Sequence, residues 1–465
     1  MAKKARQAQV KRPPVVPQSA CRGIVWPAIP SPLNRLVLSI FHQIDRSQWL
    51  SATALAALQL AQLRVLVAYA QDAVPFYRER LAFLKAEAKT ISMETWSKIP
   101  LLTRVDIQDA GQELLSRKFP QRHGDVADVW STGSTGKPVQ TKGTTVTTLF
   151  LSALTLRNHL WHGRDLEGTS ASIRLTNEAK LKETAEGKFE SWVPAYGTGR
   201  ALYQSIRLPV REQIDWLHRM KPDYLVTYPT NLAALMAASS KPPPGLRQVS
   251  TMGEALDPAL PDQCRDTWGV EIKDIYSAQE TGMMAAQCPS GSSYHIQSEA
   301  VLVEILDAAG NPCTPGEIGR VVVTDLHNFA TPLIGYDIGD YAEAGEPCAC
   351  GRGLPVIRRI WGRGRNMLRL PSGDVIWPLF FTREAEKAGG IRQMQLVQKS
   401  LTQLHLRVVS NKPLTAAAEG KIRKDLINRL GHPFDLTVER VDEIPRDRKS
   451  TRLNSSHVSE SRMPS

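Results

Sequence analysis

From residue 53 onward, apolar side chains recur at spacings of three and four. Leu60, Leu63, Leu66, Val67 and Ala70 fall on one helix face, and Pro75 is expected to end that helix. A second helix is expected at about 145–162, Thr-rich at its start and amphipathic after Leu149. Beyond it, short β-rich runs alternate with helical ones. Tyr224–Tyr228 is a strand candidate followed by a helix over Asn231–Ser239. Leu246–Met252 is a second, followed by a helix after Pro258, and Ile272–Tyr276 is a third. This rhythm predicts an α/β domain with a largely parallel sheet. From Ala300 the pattern becomes β-rich, with Val301–Leu306 and Gly319–Thr324 separated by turn residues Gly310, Pro312, Pro315 and Gly316. A break falls at Gly362-Arg-Gly-Arg365. After it, strands near 367–370, 374–377, 393–398, 402–409 and 435–441 and helices near 381–388 and 414–430 predict a small α+β C-terminal domain.

The predicted organisation is therefore a basic, Pro-rich tail without fixed structure over 1–32, a large domain over 33–362, a small domain over 363–446 and a non-native-looking tail over 447–465. A chain of 465 residues with 42% hydrophobic and 22% charged residues has the make-up of a globular protein, which excludes global disorder and fibrous repeats. No run of about 18 uncharged apolar residues is present and no apolar stretch follows the basic N-terminus, so neither a membrane span nor a secretory signal is expected. The expected setting is the cytoplasm, which six sparse cysteines also suit. The net charge of +12 sits largely at the ends. Residues 1–12 carry five positive charges and residues 446–465 a net +3, which leaves +4 for the body. That weakens a nucleic-acid reading of the basic isoelectric point, and no nucleic-acid-binding motif supports one. A mildly basic body suits an anionic small substrate.

The sharpest local signal is Trp130-Ser-Thr-Gly-Ser-Thr-Gly-Lys-Pro138. Glycines let successive backbone N–H groups point at one spot and cradle an anion. Hydroxyls from Ser131, Thr132, Ser134 and Thr135, with the Lys137 charge, add to the cradle. The spacing matches neither a Walker A loop nor the dinucleotide-binding GxGxxG pattern. It does resemble the signature Ser-Ser/Thr-Gly-Ser/Thr-Thr-Gly-x-Pro of adenylate-forming enzymes, the acyl-CoA synthetase-like superfamily. Further segments are similar to its phenylacetate–coenzyme A ligase branch, in order along the chain: Val74-Pro-Phe-Tyr-Arg78, Ile99-Pro-Leu-Leu-Thr103, Lys221-Pro-Asp-Tyr224 and Tyr228-Pro229. They continue with Ser250-Thr-Met-Gly-Glu-Ala-Leu256, Tyr276-Ser-Ala-Gln-Glu-Thr-Gly282, Pro315-Gly-Glu-Ile-Gly-Arg320, and Pro332-Leu-Ile-Gly-Tyr336 with Gly339-Asp340. Such an ordered series is far more specific than any one motif.

The resemblance implies ATP-dependent activation of a small carboxylic acid to an acyl-adenylate, then transfer to coenzyme A. By the same resemblance, Ser131, Thr132, Gly133, Ser134, Thr135, Gly136 and Lys137 hold the β- and γ-phosphates. Glu280 holds Mg²⁺ and Thr281 touches the α-phosphate. Gly253, Glu254 and Ala255 line the adenine beside Tyr276, Asp340 accepts from the ribose hydroxyls, and Arg363 supports ribose or phosphate. Each residue also has a plainer reading: Glu280 as a carboxylate at a helix N-terminus, Asp340 as a turn cap, Arg363 as a solvated charge. The acyl pocket is expected around Trp192–Tyr203 and Tyr228.

Cys288, His295, Cys348 and Cys350 offer three sulfurs and one imidazole, a donor set suited to a tetrahedral structural zinc, although ordinary free thiols would give the same spacing. Several relatives in the branch carry a similar pattern. Two departures from the family stand out. Its hinge, usually G-R-x-D-D, reads Gly362-Arg-Gly-Arg365-Asn366 here. Its terminal lysine, expected after Ile444-Pro-Arg446, is replaced by Thr451, with Lys449 two residues early. These departures motivate two alternatives: a non-catalytic nucleotide-binding homologue, and an adenylating enzyme with a different acceptor.

Overall fold

Eleven strands hydrogen-bond into one continuous sheet whose polarity changes partway across. The computed structural model describes residues 16–130, 139–364, 367–372, 375–376, 390–410 and 413–444. Strands β1 (Val126–Trp130) and β2 (Gln140–Thr144) stand apart as an antiparallel hairpin. The parallel part of the sheet contains β3 (Thr169–Arg174), β4 (Arg200–Ser205), β5 (Tyr224–Thr227), β6 (Gln248–Met252) and β7 (Glu271–Ala278), in the spatial order β4-β3-β5-β6-β7. Parallel strands need crossover connections, and helices Glu178–Ala185, Val210–Met220, Pro229–Ala238 and Leu260–Trp268 supply them between successive strands. Leu217, Leu232, Leu235 and Trp268 from these helices bury Ala171, Ile173, Leu225 and Val249 of the sheet.

After β7 the chain turns straight back. β8 (Gly282–Gln287) pairs antiparallel with β7, and β9 (Tyr294–Ile296) with β8. Strands β10 (Val301–Leu306), β11 (Ile318–Asp325), β12 (Tyr336–Ala344) and β13 (Val356–Arg363) complete an antiparallel meander that rejoins β9 through β13. The two expected regions, one α/β and one β-rich, are thus halves of a single sheet.

Helix Ala52–Ala73 packs on the antiparallel half. Leu63, Leu66, Val67 and Ala70 are fully buried among Val321, Val323 and Ile357, as the spacing predicts. Its 22 residues are long and apolar enough to suit a membrane span by length and composition, yet this face lies in the protein core. Pro75 does not end it directly. Val74 takes the extended conformation favoured before proline, and Pro75 opens the next helix, Pro75–Arg80. Residues 16–31 form no helix or strand, and Ser31 caps the helix Pro32–Ser47 through a bond from the Asn34 N–H.

Strands β3 and β4 give no apolar run in the sequence. Ser170, Ser172 and Arg174 occupy one face of β3 and turn to a cavity. The small domain carries the hairpin β14 (Leu368–Arg369) and β15 (Val375–Ile376), and a sheet of β16 (Ile391–Gln398), β17 (Gln403–Ser410) and β18 (Asp435–Arg440). The parallel pair β17–β18 is bridged by helix Ala416–Leu430, which buries Leu426 and Leu430 against Leu406 and Leu436. The helix expected near 381–388 lies outside the described residues.

Helix Thr145–Trp161 is tied down by one buried ion pair. Arg157, 1% exposed, donates to both carboxylate oxygens of Glu299 (2.8 and 3.0 Å), to Gln297 Oε1 (2.7 Å) and to the Ile44 carbonyl (2.9 Å). Removing one member of such a pair strands the other charge. Arg157→Met is expected to lower unfolding free energy by about 3–5 kcal/mol in chemical denaturation. A loss below about 1 kcal/mol would show that the pair does not hold this helix.

Candidate functional site

A cavity of about 730 Å³ lies at the C-terminal ends of the parallel strands, where β7 turns back into β8. Open α/β sheets bind ligands at this kind of place, beyond the carboxyl ends of their strands. One end of the cavity is walled by Gly253–Ala255, Tyr276, Asp340 and Arg363. The other end reaches Asn158, His159, Arg164 and Trp192.

Asp340 on β12 is buried beside Arg363, its register partner on β13. Arg363 Nε lies 2.9 Å from Asp340 Oδ1, and Tyr276 Oη donates to Asp340 Oδ2 at 2.8 Å. A further Arg363 N–H bonds the Ile338 carbonyl. Burial, then the Asp340 charge, pushes Tyr276 well above its ordinary pKa, so it remains a donor. The same carboxylate raises Arg363. The Tyr276–Asp340 bond is also informative about shape. β7 and β12 are four places apart in the sheet, which in a flat sheet is about 19 Å. The antiparallel half must therefore curl over toward β7. The narrow joint, where β13 meets β9 through only two residue pairs, leaves the strands free to do so.

Gly253 follows β6 with φ +79°, and a Cβ there would lie 3.1 Å from the Tyr228 ring. A side chain would combine left-handed strain with a clash against the cavity wall. Glu254 reaches back to accept from the Thr230 N–H at 3.1 Å. Glu280 and Thr281 occupy the β7–β8 turn and are 9% and 7% exposed. Thr281 Oγ1 is buried without a hydrogen-bond partner among the described residues. Burial and the Glu280 charge push the nearby Tyr336 up to about 12. Gly253, Glu254, Ala255, Tyr276, Glu280, Asp340 and Arg363 thus line one cavity. Ser131, Thr132, Gly133, Ser134, Thr135, Gly136 and Lys137 lie outside the described residues. Their flanks pair as Trp130↔Gln140, so this loop joins the two strands of a hairpin.

The segments expected to shape an acyl pocket do reach the cavity, through Trp192, Tyr203 and Tyr228. The sequence reading missed the opposite wall. Leu151, Thr155 and Asn158 line it from one face of helix Thr145–Trp161, and Arg164 follows that helix. Their spacing of four and three was a usable signal, but polar residues on an amphipathic helix read as solvent-facing.

Cys288 at the end of β8, His295 on β9, and Cys348 and Cys350 in the β12–β13 connection bring their donor atoms within 4.8 Å of one another. Cys288 Sγ lies 3.8 Å from Cys348 Sγ, and Cys350 Sγ lies 3.3 Å from His295 Nε2. Tetrahedral zinc with Zn–S near 2.3 Å would separate two sulfurs by about 3.8 Å. Burial and the Arg352 charge lower His295 to about 4, which leaves a neutral imidazole. Burial raises Cys288 to about 11. At Cys350 burial acts in the same direction, but hydrogen bonds led by the Arg352 backbone outweigh it and lower the thiol. Arg352 also stacks over Trp49 and Trp161, 4.8 and 4.6 Å from their ring centres, and its Nε donates to Gln48 Oε1 at 2.8 Å.

Comparison with known proteins adds three findings. Residues 48–330 match the model of the AMP-binding enzyme family, and residues 368–451 match that of the CapK C-terminal domain. A phenylacetate-coenzyme A ligase of Thermus thermophilus is 28% identical over 69% of this chain and 73% of its own length. One of Pseudomonas putida is 24% identical over 77% and 82%. Among solved structures, a 2-hydroxyisobutyryl-CoA ligase in its postadenylation state superimposes with a TM-score of 0.68 at 19% identity, covering 85% of this chain and 88% of that one.

Proposed function

This chain belongs to the AMP-binding enzyme family, and from that premise we propose that it activates a carboxylic acid with ATP and passes the acyl group to the thiol of coenzyme A. The observation that carries the reading is the buried Tyr276–Asp340–Arg363 cluster at one end of a cavity long enough to continue past Gly253 toward Arg164.

In the first step a carboxylate oxygen of the acid attacks the α-phosphorus of ATP. The bond to the β-phosphate oxygen breaks, which gives acyl-AMP and pyrophosphate. In the second step the thiol sulfur attacks the acyl carbonyl, AMP departs with the carboxyl oxygen, and the thiol proton is released. Catalysis of the first step is mainly a matter of bringing two anions together and stabilising the charge that moves to the leaving group. Asp340 offers the ribose hydroxyls a carboxylate whose position Arg363 and Tyr276 fix. Gly253 to Ala255 leave a backbone edge for the adenine. Thr281 Oγ1 is free to donate to an α-phosphate oxygen, and the loop from Ser131 to Lys137 suits the β- and γ-phosphates. Glu280 would hold Mg²⁺ together with phosphate oxygens, a donor set that a hard cation prefers, and the ion would neutralise the polyphosphate.

We further read the Cys288–His295–Cys348–Cys350 cluster as a structural zinc site. Its three sulfurs and one nitrogen fill a tetrahedron and leave no position open for substrate. One observation favours a second reading, a nucleotide-binding homologue with little adenylating activity. Arg365, Asn366 and Thr451 stand where the family has two acids and its lysine.

Three measurements test these readings. By calorimetry, Asp340→Ala is expected to weaken both AMP and ATP by about 1–3 kcal/mol. Lys137→Ala is expected to weaken ATP more than AMP, and wild-type affinities in both variants would overturn the nucleotide site. Replacing the residues after Arg446 with a tail carrying Gly-Lys at the family spacing is expected to raise pyrophosphate release on the order of a hundredfold to a thousandfold. Full activity in the unaltered chain, unchanged by Lys449→Ala, would show that the chemistry does not need this lysine. Metal analysis is expected to find about one zinc per chain, with Cys348→Ser lowering both metal content and melting temperature. Equal zinc in wild type, Cys288→Ser and Cys348→Ser would refute the site.

A further inference from the structure

The end of the cavity far from Asp340 is built from hydrogen-bond donors around a buried cation. Arg164 is 7% exposed, and four neutral acceptors hold it. Its Nε donates to Gln248 Oε1 at 2.8 Å. Nη1 donates to Asn158 Oδ1 at 2.9 Å and to His159 Nδ1 at 2.8 Å, and Nη2 donates to Ser250 Oγ at 2.7 Å. No carboxylate pairs with it among the described residues. Asp165, next in the chain, is joined instead to Arg247 at 3.3 Å. Arg157, seven residues earlier, shows what a compensated buried guanidinium looks like here, with both oxygens of Glu299 on it.

A guanidinium donates and cannot accept, so its bonds set the polarity of its neighbours. Asn158 must turn Oδ1 toward Arg164, which sends Nδ2 the other way. His159 must present an unprotonated Nδ1, which puts its ring proton on Nε2. Burial, with Arg164 and His162 nearby, keeps this imidazole neutral. Asn158 Nδ2 is buried without a hydrogen-bond partner among the described residues, whereas the His159 ring N–H is held by the Trp192 backbone. Both residues line the cavity. One N–H of Arg164 Nη2 also remains beyond the four bonds above. Donors buried this deeply are ordinarily matched by acceptors, and the cavity is where a matching acceptor can enter. Arg174 is a second cation at this end, where a further carboxyl, Asp274, is engaged by Thr251 and Tyr294 and raised by burial to about 6. Arg174 too lines the cavity, with side-chain bonds among the described residues to Ser172 Oγ (2.8 Å) and Met252 Sδ (3.1 Å), whereas Lys180 is neutralised by Glu190 at 3.0 Å.

We propose that the acid bound here carries a second anionic group, in the simplest case a second carboxylate, received by Arg164 and Asn158. The proposal rests on reading the cavity as an acyl-adenylate site. Ser250, which anchors Arg164, lies three residues before Gly253 on β6, about 10 Å deeper along the strand. The two acidic groups of the substrate are therefore separated by a spacer.

The test uses the full chain with a non-hydrolysable ATP analogue bound and compares acids that differ only in a second carboxylate: pentanoate with adipate, benzoate with terephthalate, phenylacetate with 4-carboxyphenylacetate. In calorimetry, at least one diacid is expected to bind tenfold or more tightly than its partner, and in Arg164→Met that ratio falls to near one. If circular dichroism shows that Arg164→Met does not fold, Asn158→Leu is expected to reduce the same ratio. The inference is overturned if every monoacid binds as well as its diacid, if no diacid binds, or if the preference survives in a folded variant. Failure of the ATP analogue to bind would instead count against the nucleotide site itself.

Discussion

The hydrogen bond from Tyr276 to Asp340 constrains the whole sheet. It joins strands four places apart, so it exists only if the antiparallel half bends over the end of the parallel half. The bend starts at the immediate return from β7 to β8, where Ala278 pairs with Gly282. It passes through the short strand β9, and it delivers Asp340 and Arg363 to the mouth of a cavity whose floor belongs to β3, β5 and β6. Neither half alone would make the site. The parallel strands contribute the turn at Gly253 and the depth, while the curled strands contribute the fixed carboxylate.

Much of this was legible from residue order. The spacing of Leu63, Leu66, Val67 and Ala70 marked a core face, and the crossover rhythm from Tyr224 to Tyr276 marked the parallel strands, because buried strands and amphipathic helices leave periodic apolar traces. Short motifs marked Gly253, Glu280, Asp340 and Arg363. The continuity of the sheet was not legible. Tyr276 and Asp340 are 64 residues apart, and no local pattern reports which strands a curl will bring together. Strands β3 and β4 were missed for a related reason. Their cavity-facing Ser170, Ser172, Arg174 and Tyr203 break the apolar run that identifies a buried strand.

Arg157 and Arg164 set out the electrostatic logic of the chain. Both are almost wholly buried and each makes four side-chain hydrogen bonds. One faces a carboxylate and anchors a helix, whereas the other, among the described residues, faces amide, imidazole and hydroxyl groups. Burying a charge is tolerable when the protein supplies the opposite one. Where it does not, the site is prepared for something that arrives from outside.

Arg352 connects two regions that would otherwise be unrelated. It follows Cys350 by two residues, yet its guanidinium stacks on Trp161, the last residue of the helix that carries Asn158. The β12–β13 connection therefore props the far wall of the cavity from behind. Changes in that loop would reach the substrate only by tilting the end of the helix, without altering a side chain that touches it. Populations selected for growth on a new acid would then be expected to accumulate substitutions around residues 347–353, far from the cavity in sequence, as a way of adjusting substrate range while the nucleotide end stays intact.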